Sequence, residues 1–200
     1  MISVDQEKAW VQGALAGDRT AFTSLVEAYK NPVYNLCYRM LGTSTEAEDA
    51  AQEIFVKIYR RLHTYDPDRK LSSWVLSVAS HHCIDRLRRR RLQTVDIEEM
   101  PEWQPLVSDR PQPERQLLDS EQEARVQQLL EYLEPGYRVP LIMHYWNDLS
   151  YQEICEATGL SLSAVKSRLH RARLKLAELM RAHAPDLIPL MAQAKEKVEA

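Results

Sequence analysis

Residues 150–182, SYQEICEATGLSLSAVKSRLHRARLKLAELMRA, decide the fold. Ser150 stands three residues before Glu153, the spacing of a capping box, and opens a short helix over 151–158. Gly159 suits the left-handed position that ends such a helix, and Leu160 and Ser161 complete a tight turn. A longer helix then runs from about 161–163 to 182. A short helix, a glycine turn and a long helix make the helix-turn-helix arrangement, whose second helix enters the DNA major groove. At 100° per residue, Val165, Leu169, Ala172, Leu176 and Leu179 share one face of the long helix. Ser163, Lys166, Ser167 and His170 lie opposite, flanked by Arg171 and Arg173. Small hydroxyls and donors can reach base edges from there, and the flanking cations can reach phosphates. A basic amphipathic helix is commonly just a solvated face; the capped helix and glycine turn directly upstream favour the DNA-reading alternative.

Upstream, Val126, Leu129, Leu130 and Leu133 follow three- and four-residue steps, a helix over 121–133 that ends at Pro135-Gly136. A further helix is expected over 137–146. The N-terminal half reads as helices over 4–16, 18–41, 46–62 and 72–92, with Pro32 expected to bend or interrupt the second. Ala47, Ala51, Ile54, Ile58 and Leu62 form the core stripe of helix 46–62, so Asp49, Gln52, Glu53, Val56 and Arg60 face elsewhere. Leu76, Ala79, Cys83 and Leu87 form that of helix 72–92, leaving His81, Asp85 and Arg88 on another face. Trp74 can stack on a base or fill the core, and the core is favoured.

The whole chain agrees with an all-α fold. Its 200 residues are 44% hydrophobic and 28% charged, with five Gly and two Phe, a composition that can build a core and favours helices. The net charge of −3, taken alone, disfavours a nucleic-acid partner. By segment, however, residues 1–92 carry +3, 93–122 carry −6, 123–184 carry +1 and 185–200 carry −1. The acidic stretch also holds Pro101, Pro105, Pro111 and Pro113. We therefore expect two small helical domains, 1–92 and 123–184, joined by a flexible linker over 93–122 and followed by a tail over 185–200. Cys37, Cys83 and Cys155 are scattered and fit a reducing compartment. No apolar run approaches the roughly 18 residues of a membrane span, and the N-terminus has no signal pattern, so neither export nor membrane insertion is expected. His81, His82 and Cys83 point about 100° apart on a helix and cannot converge on one metal ion.

Residues 137–176, YRVPLIMHYWNDLSYQEICEATGLSLSAVKSRLHRARLKL, resemble region 4, the promoter −35-binding part of bacterial sigma factors of the extracytoplasmic-function class. Independently, EAEDAAQEIFVKIYRRL at 46–62 resembles region 2.2 of that class, and SSWVLSVASHHCIDRLRRRR at 72–91 resembles regions 2.3 to 2.4. The resemblance implies a sigma region 2 bundle and a sigma region 4 helix-turn-helix. It implies a subunit that binds core RNA polymerase, through the β′ clamp coiled coil and the β subunit, and directs initiation at promoter DNA, under control of an anti-sigma factor. No cofactor, metal or catalysis of its own is implied, and the place of action is the cytoplasm, at the nucleoid. The resemblance carries polymerase docking to Asp49, Gln52 and Glu53. It carries −10 recognition to His81, Asp85, Arg86, Arg88, Arg89 and Arg90 with the loop 64–72, where a base flipped from the strand is held. It carries −35 recognition to Ser163, Lys166, Ser167, His170, Arg171 and Arg173. His81 stands where the family often has Asn, which leaves the preferred −10 base open. The acidic linker is expected to thread through polymerase, its carboxylates imitating phosphates. Two rivals follow from the residues alone: a helix-turn-helix regulator with a ligand pocket in 1–92, and an enzyme using Cys83 with a neighbouring His.

Overall fold

The computed structural model describes residues 3–94 and 119–184, with side chains described over 3–92 and 123–184. Every regular element among them is helical. The acidic linker and the C-terminal tail of the sequence reading lie largely or wholly outside the described residues.

The first four helices make a bundle around α2. Helix α1 (Val4–Leu15) opens on a capping box from Ser3, whose hydroxyl accepts from the Gln6 amide. Helix α2 (Arg19–Leu41) is capped by Asp18. It runs unbroken through Pro32, so the expected interruption does not occur. Helix α2 ends at Gly42 with φ of 98°, a left-handed turn that a Cβ would strain. Thr43 then caps α3 (Ser44–Arg61), and a short 3-10 turn (Leu62–Thr64) leads to α4 (Leu71–Thr94). The core of this bundle sets Leu25, Val33, Leu36, Cys37 and Met40 of α2 against Ala47, Ile54 and Ile58 of α3 and Leu76, Ala79 and Cys83 of α4. Two details of the expected stripes shift. Ala50 rather than Ala51 is fully buried in α3, and Leu87 is half-buried, because α4 turns a second set of side chains, Leu71, Val75, Ser73 and Ser80, inward as well.

Helices α5 (Asp119–Glu131), α6 (Pro135–Tyr145), α7 (Tyr151–Thr158) and α8 (Leu162–His183) form the second region. Pro135, read as the stop of α5, is the first residue of α6, where its missing N–H costs nothing. Leu129, Leu130, Val139, Leu141, Ile142 and Met143 pack against Ile154, Ala157, Val165, Leu169, Ala172 and Leu176. Helix α6 is short and buries nearly its whole middle, from Arg138 to Met143. The two regions are not separate beads. Helix α2 touches α5 and α6, and α4 touches α6 and α7, so the buried residues of both regions form one continuous cluster.

Candidate nucleic-acid and polymerase interfaces

The helix-turn-helix is assembled as its sequence requires. Ser150 accepts from the Glu153 amide at 3.3 Å while the Glu153 carboxylate accepts from the Ser150 amide at 2.8 Å. Gly159 adopts φ of 70°. Ser161 caps α8 by accepting from the Ala164 amide at 3.3 Å. Val165, Leu169, Ala172, Leu176 and Leu179 are buried, so the long helix can present only its other face. Ser163, Lys166, Ser167, His170 and Arg171 are exposed on that face, and Arg173 is half-buried beside it. Two further contacts orient the helix. Arg168 donates to the Gly136 carbonyl at 3.2 Å, and the Arg171 guanidinium lies 3.5 Å from the Tyr137 hydroxyl. The N-terminal half of α8 therefore offers hydroxyl and amine donors at the end of the helix where the dipole favours phosphate.

In the first region, Asp49, Gln52 and Glu53 are exposed along α3, beside Val56, which is 51% exposed. That face combines carboxylate, amide and apolar groups. Glu53 also reaches across to α4, with 3.7 Å to the Arg86 guanidinium and 3.6 Å to Nε2 of His82. Arg90 is paired with Glu46 at 3.6 Å. The arginine cluster is thus divided: Arg86 and Arg90 are half-buried and engaged with α3, whereas Arg88 and Arg89 are exposed along the helix. Spacing along α4 alone could not show this, because the carboxylates come from another helix.

Beside the cluster, a cavity of about 350 Å³ is lined by Lys57, Arg61, Thr64, Trp74, Ser77, Val78, His81, His82 and Asp85. His81 and Asp85 are brought together there as the i, i+4 spacing predicts. His81 Nδ1 lies 2.7 Å from the Ser77 carbonyl. A carbonyl can only accept, so Nδ1 donates to it, and in the neutral ring Nε2 is then the acceptor. Trp74, expected in the core, is half-buried and packs on Tyr65 with centroids 5.6 Å apart, forming one wall of the cavity. Lys57 was not singled out from the sequence, and His82 entered only among residues that cannot converge on a metal ion. His82 is 7% exposed, and its Nδ1 accepts from the Lys57 ammonium at 2.6 Å. No periodic signal marks that pair, since its partners come from different helices.

Burial, then the Lys57 charge, hold the His82 pKa below its ordinary 6.5; Glu53 opposes them, and Arg86 and Arg89 add smaller downward pushes. The unfolded chain therefore binds this proton first as pH falls. Stability contributed by neutral His82 is fully present above about pH 6.5 and is lost on acidification below it. Urea denaturation at pH 7.5 and 5.5 should show this loss, and His82→Asn should reduce it; an unchanged pH dependence would contradict the assignment.

Cys83 is buried with its sulfur 3.8 Å from that of Cys37. The hydrogen bond to Cys37 and the burial push the Cys83 thiol well up, which disfavours the thiolate that the Cys83 nucleophile reading requires. Cys155 is half-buried.

Residues 25–93 match the model of Sigma-70 region 2, and residues 123–176 match that of Sigma-70 region 4. The chain is 34% identical over 171 residues to the ECF RNA polymerase sigma factor SigW of Bacillus subtilis, covering 82% of this chain and 91% of that protein. Two solved structures share the fold. CnrH, in complex with the cytosolic domain of CnrY, superimposes with a TM-score of 0.66 at 24% identity over 89% of this chain and 99% of that one. RpoE of Bartonella quintana, in complex with the anti-sigma factor NepR, does so with a TM-score of 0.62 at 19% identity, over 81% and 98%. With both regions present in the same order on a chain that nearly spans its relative, this protein belongs to the extracytoplasmic-function sigma factors of the sigma-70 family, which direct transcription initiation.

Proposed function

We propose that Ser163, Lys166, Ser167, His170, Arg171 and Arg173 read and grip the −35 element, and that Asp49, Gln52 and Glu53 dock on the β′ clamp coiled coil of core RNA polymerase. His81 and Asp85 then line the site of a −10 base flipped from the non-template strand, with Arg86, Arg88, Arg89 and Arg90 along the strand backbone. The observation that supports this most is the sorting of α8: every core position of the helix is buried while five of the six assigned side chains are exposed and the sixth is half-buried. The cavity beside His81 is of a size to admit one base, and Lys57 and Arg61 give it cations. With Nε2 of His81 as acceptor and the Asp85 carboxylate nearby, it suits a base edge that donates, such as an exocyclic amine.

On this reading the domains are 1–92, 123–184 and the connecting 93–122. The protein has no catalytic role of its own, acts in the cytoplasm on nucleoid DNA, and is held in check by an anti-sigma factor, as the Bartonella relative's complex suggests by analogy. Run-off transcription with core polymerase tests the reading. Promoter-specific transcripts are expected only when this chain is added, and His81→Asn should change which −10 base is favoured by roughly 5- to 100-fold, the range of one lost base contact. Specific transcripts from core polymerase alone, or none on addition of the chain, overturn it.

A further inference from the structure

The cavity beside His81 is sorted by charge. Its cations, Lys57 and Arg61, stand one turn apart on α3, whereas its acceptors, His81 and Asp85, stand one turn apart on α4. Trp74, half-buried against Tyr65, adds an aromatic wall. A nucleotide has the complementary parts: an anionic phosphate, a base edge and a flat ring face. A donating base edge belongs with the α4 acceptors, which leaves the phosphate to the α3 cations.

Of the two cations, Lys57 is held in place from below. Its ammonium donates to Nδ1 of His82 at 2.6 Å. An ammonium only donates, so the neutral ring carries its proton on Nε2. That N–H is buried without a hydrogen-bond partner, and the exposed Glu53 carboxylate lies 3.6 Å from it. As packing alone the ring is a poor filler, because an unpaired buried N–H costs stability that an apolar side chain of similar size would not. What the ring supplies is an acceptor for Lys57. It fixes the end of a flexible four-carbon stem, so an anion arriving there meets a charge that is already ordered. Lysine suits phosphate in particular, as a compact point charge with rotatable donors.

We propose that Lys57 grips the phosphate of the flipped −10 nucleotide, and that His82, buried beneath it and out of reach of DNA, is the positioning residue that holds Lys57 there. The inference deepens the −10 assignment made above and rests on it. A nucleotide enters the cavity only after it leaves the stack, so this contact forms on opening and not in the first encounter with the duplex. Lys57 and His82 therefore act on the step that converts bound duplex to open promoter. Their effects are not independent either: once Lys57 is removed, His82 has nothing left to hold.

The test uses the full chain with core polymerase on a promoter duplex that the complex transcribes, with 2-aminopurine in the −10 element to report unstacking. Lys57→Met should slow opening by roughly 10- to 100-fold, the range for one hydrogen bond to a charged group. His82→Leu should slow it by roughly 2- to 10-fold, the range for ordering one long side chain. First binding of the duplex should be unchanged in both, which also shows that the variants fold. His82→Asn, whose Oδ1 can stand in for Nδ1, should recover most of the rate, and His82→Leu should add nothing to Lys57→Met. A neutral methylphosphonate placed at each non-template −10 phosphate in turn should slow the parent at one position, where Lys57→Met is indifferent to it. Opening at the parental rate in Lys57→Met, equal loss of first binding and opening, additive losses in the double variant, or equal sensitivity of parent and Lys57→Met to every methylphosphonate overturns the inference. His81→Asn tests the underlying assignment separately: an unaltered −10 base preference overturns that assignment, while the methylphosphonate series still decides the phosphate contact.

Discussion

Arg138→Met should destabilise the folded chain by about 3–5 kcal/mol, the range for removing one partner from a buried charge network. Arg138 is 2% exposed and sits where α5, α6 and the end of α2 meet. It donates from Nε to the Leu133 carbonyl at 3.2 Å, from Nη2 to the Glu131 and Leu133 carbonyls at 2.7 and 2.8 Å, and from Nη1 to that of Met40. Burial lowers its pKa to about 10, with Glu131 opposing, so it stays charged at neutral pH and that charge must be solvated by those carbonyls. Methionine fills similar space but strands the three carbonyls. Lysine keeps the charge yet lacks the planar fork that reaches them together, so Arg138→Lys should recover only part of the loss. Chemical denaturation of the full chain measures both, and an Arg138→Met chain as stable as the parent would contradict the network's role.

Lys166→Ala and Arg171→Ala are expected to weaken promoter binding by the polymerase complex by roughly 5- to 100-fold each, if each loses a contact worth about 1–3 kcal/mol. Both are exposed on the outer face of α8, away from the buried stripe, and Arg171 gives up only one long, exposed contact to Tyr137, so the fold should be retained. Where the lost contact is to phosphate, the weakening should be similar across sequences and the salt dependence should fall by about one ion. Where it is to a base, discrimination at one −35 position should relax. Binding to core polymerase should be retained in both variants, since docking is assigned to α3. Equal loss of promoter and polymerase binding would contradict that division.

The contrast between these two predictions separates what is local from what is not. The α8 face could be read from residues 161–179 alone, because a helix repeats every 3.6 residues and its buried stripe announces itself at that period. The capping box at Ser150 and Glu153 and the left-handed Gly159 were legible for the same reason: each is a contact within four residues. The outer face of α3 followed from its own stripe, with a shift of one alanine. Pro32 does not interrupt α2: proline disfavours a helix locally, but the packing of α2 against α1, α3, α4, α5 and α6 holds the helix across it.

The sequence by itself thus determined the helical elements, the capping box and glycine turn of the helix-turn-helix, and the buried stripe of α8. Only the tertiary structure decided which cations remain available and how the regions meet. Arg86 is drawn to Glu53 and His82 to Lys57 across a helix pair, and Arg138, Asn147 and Lys70 find partners 98, 115 and 83 residues away. Such pairings obey no period along the chain. They arise because burying the apolar stripes of the described helices forces polar groups at their ends together, where each must find a partner or stay unsolvated.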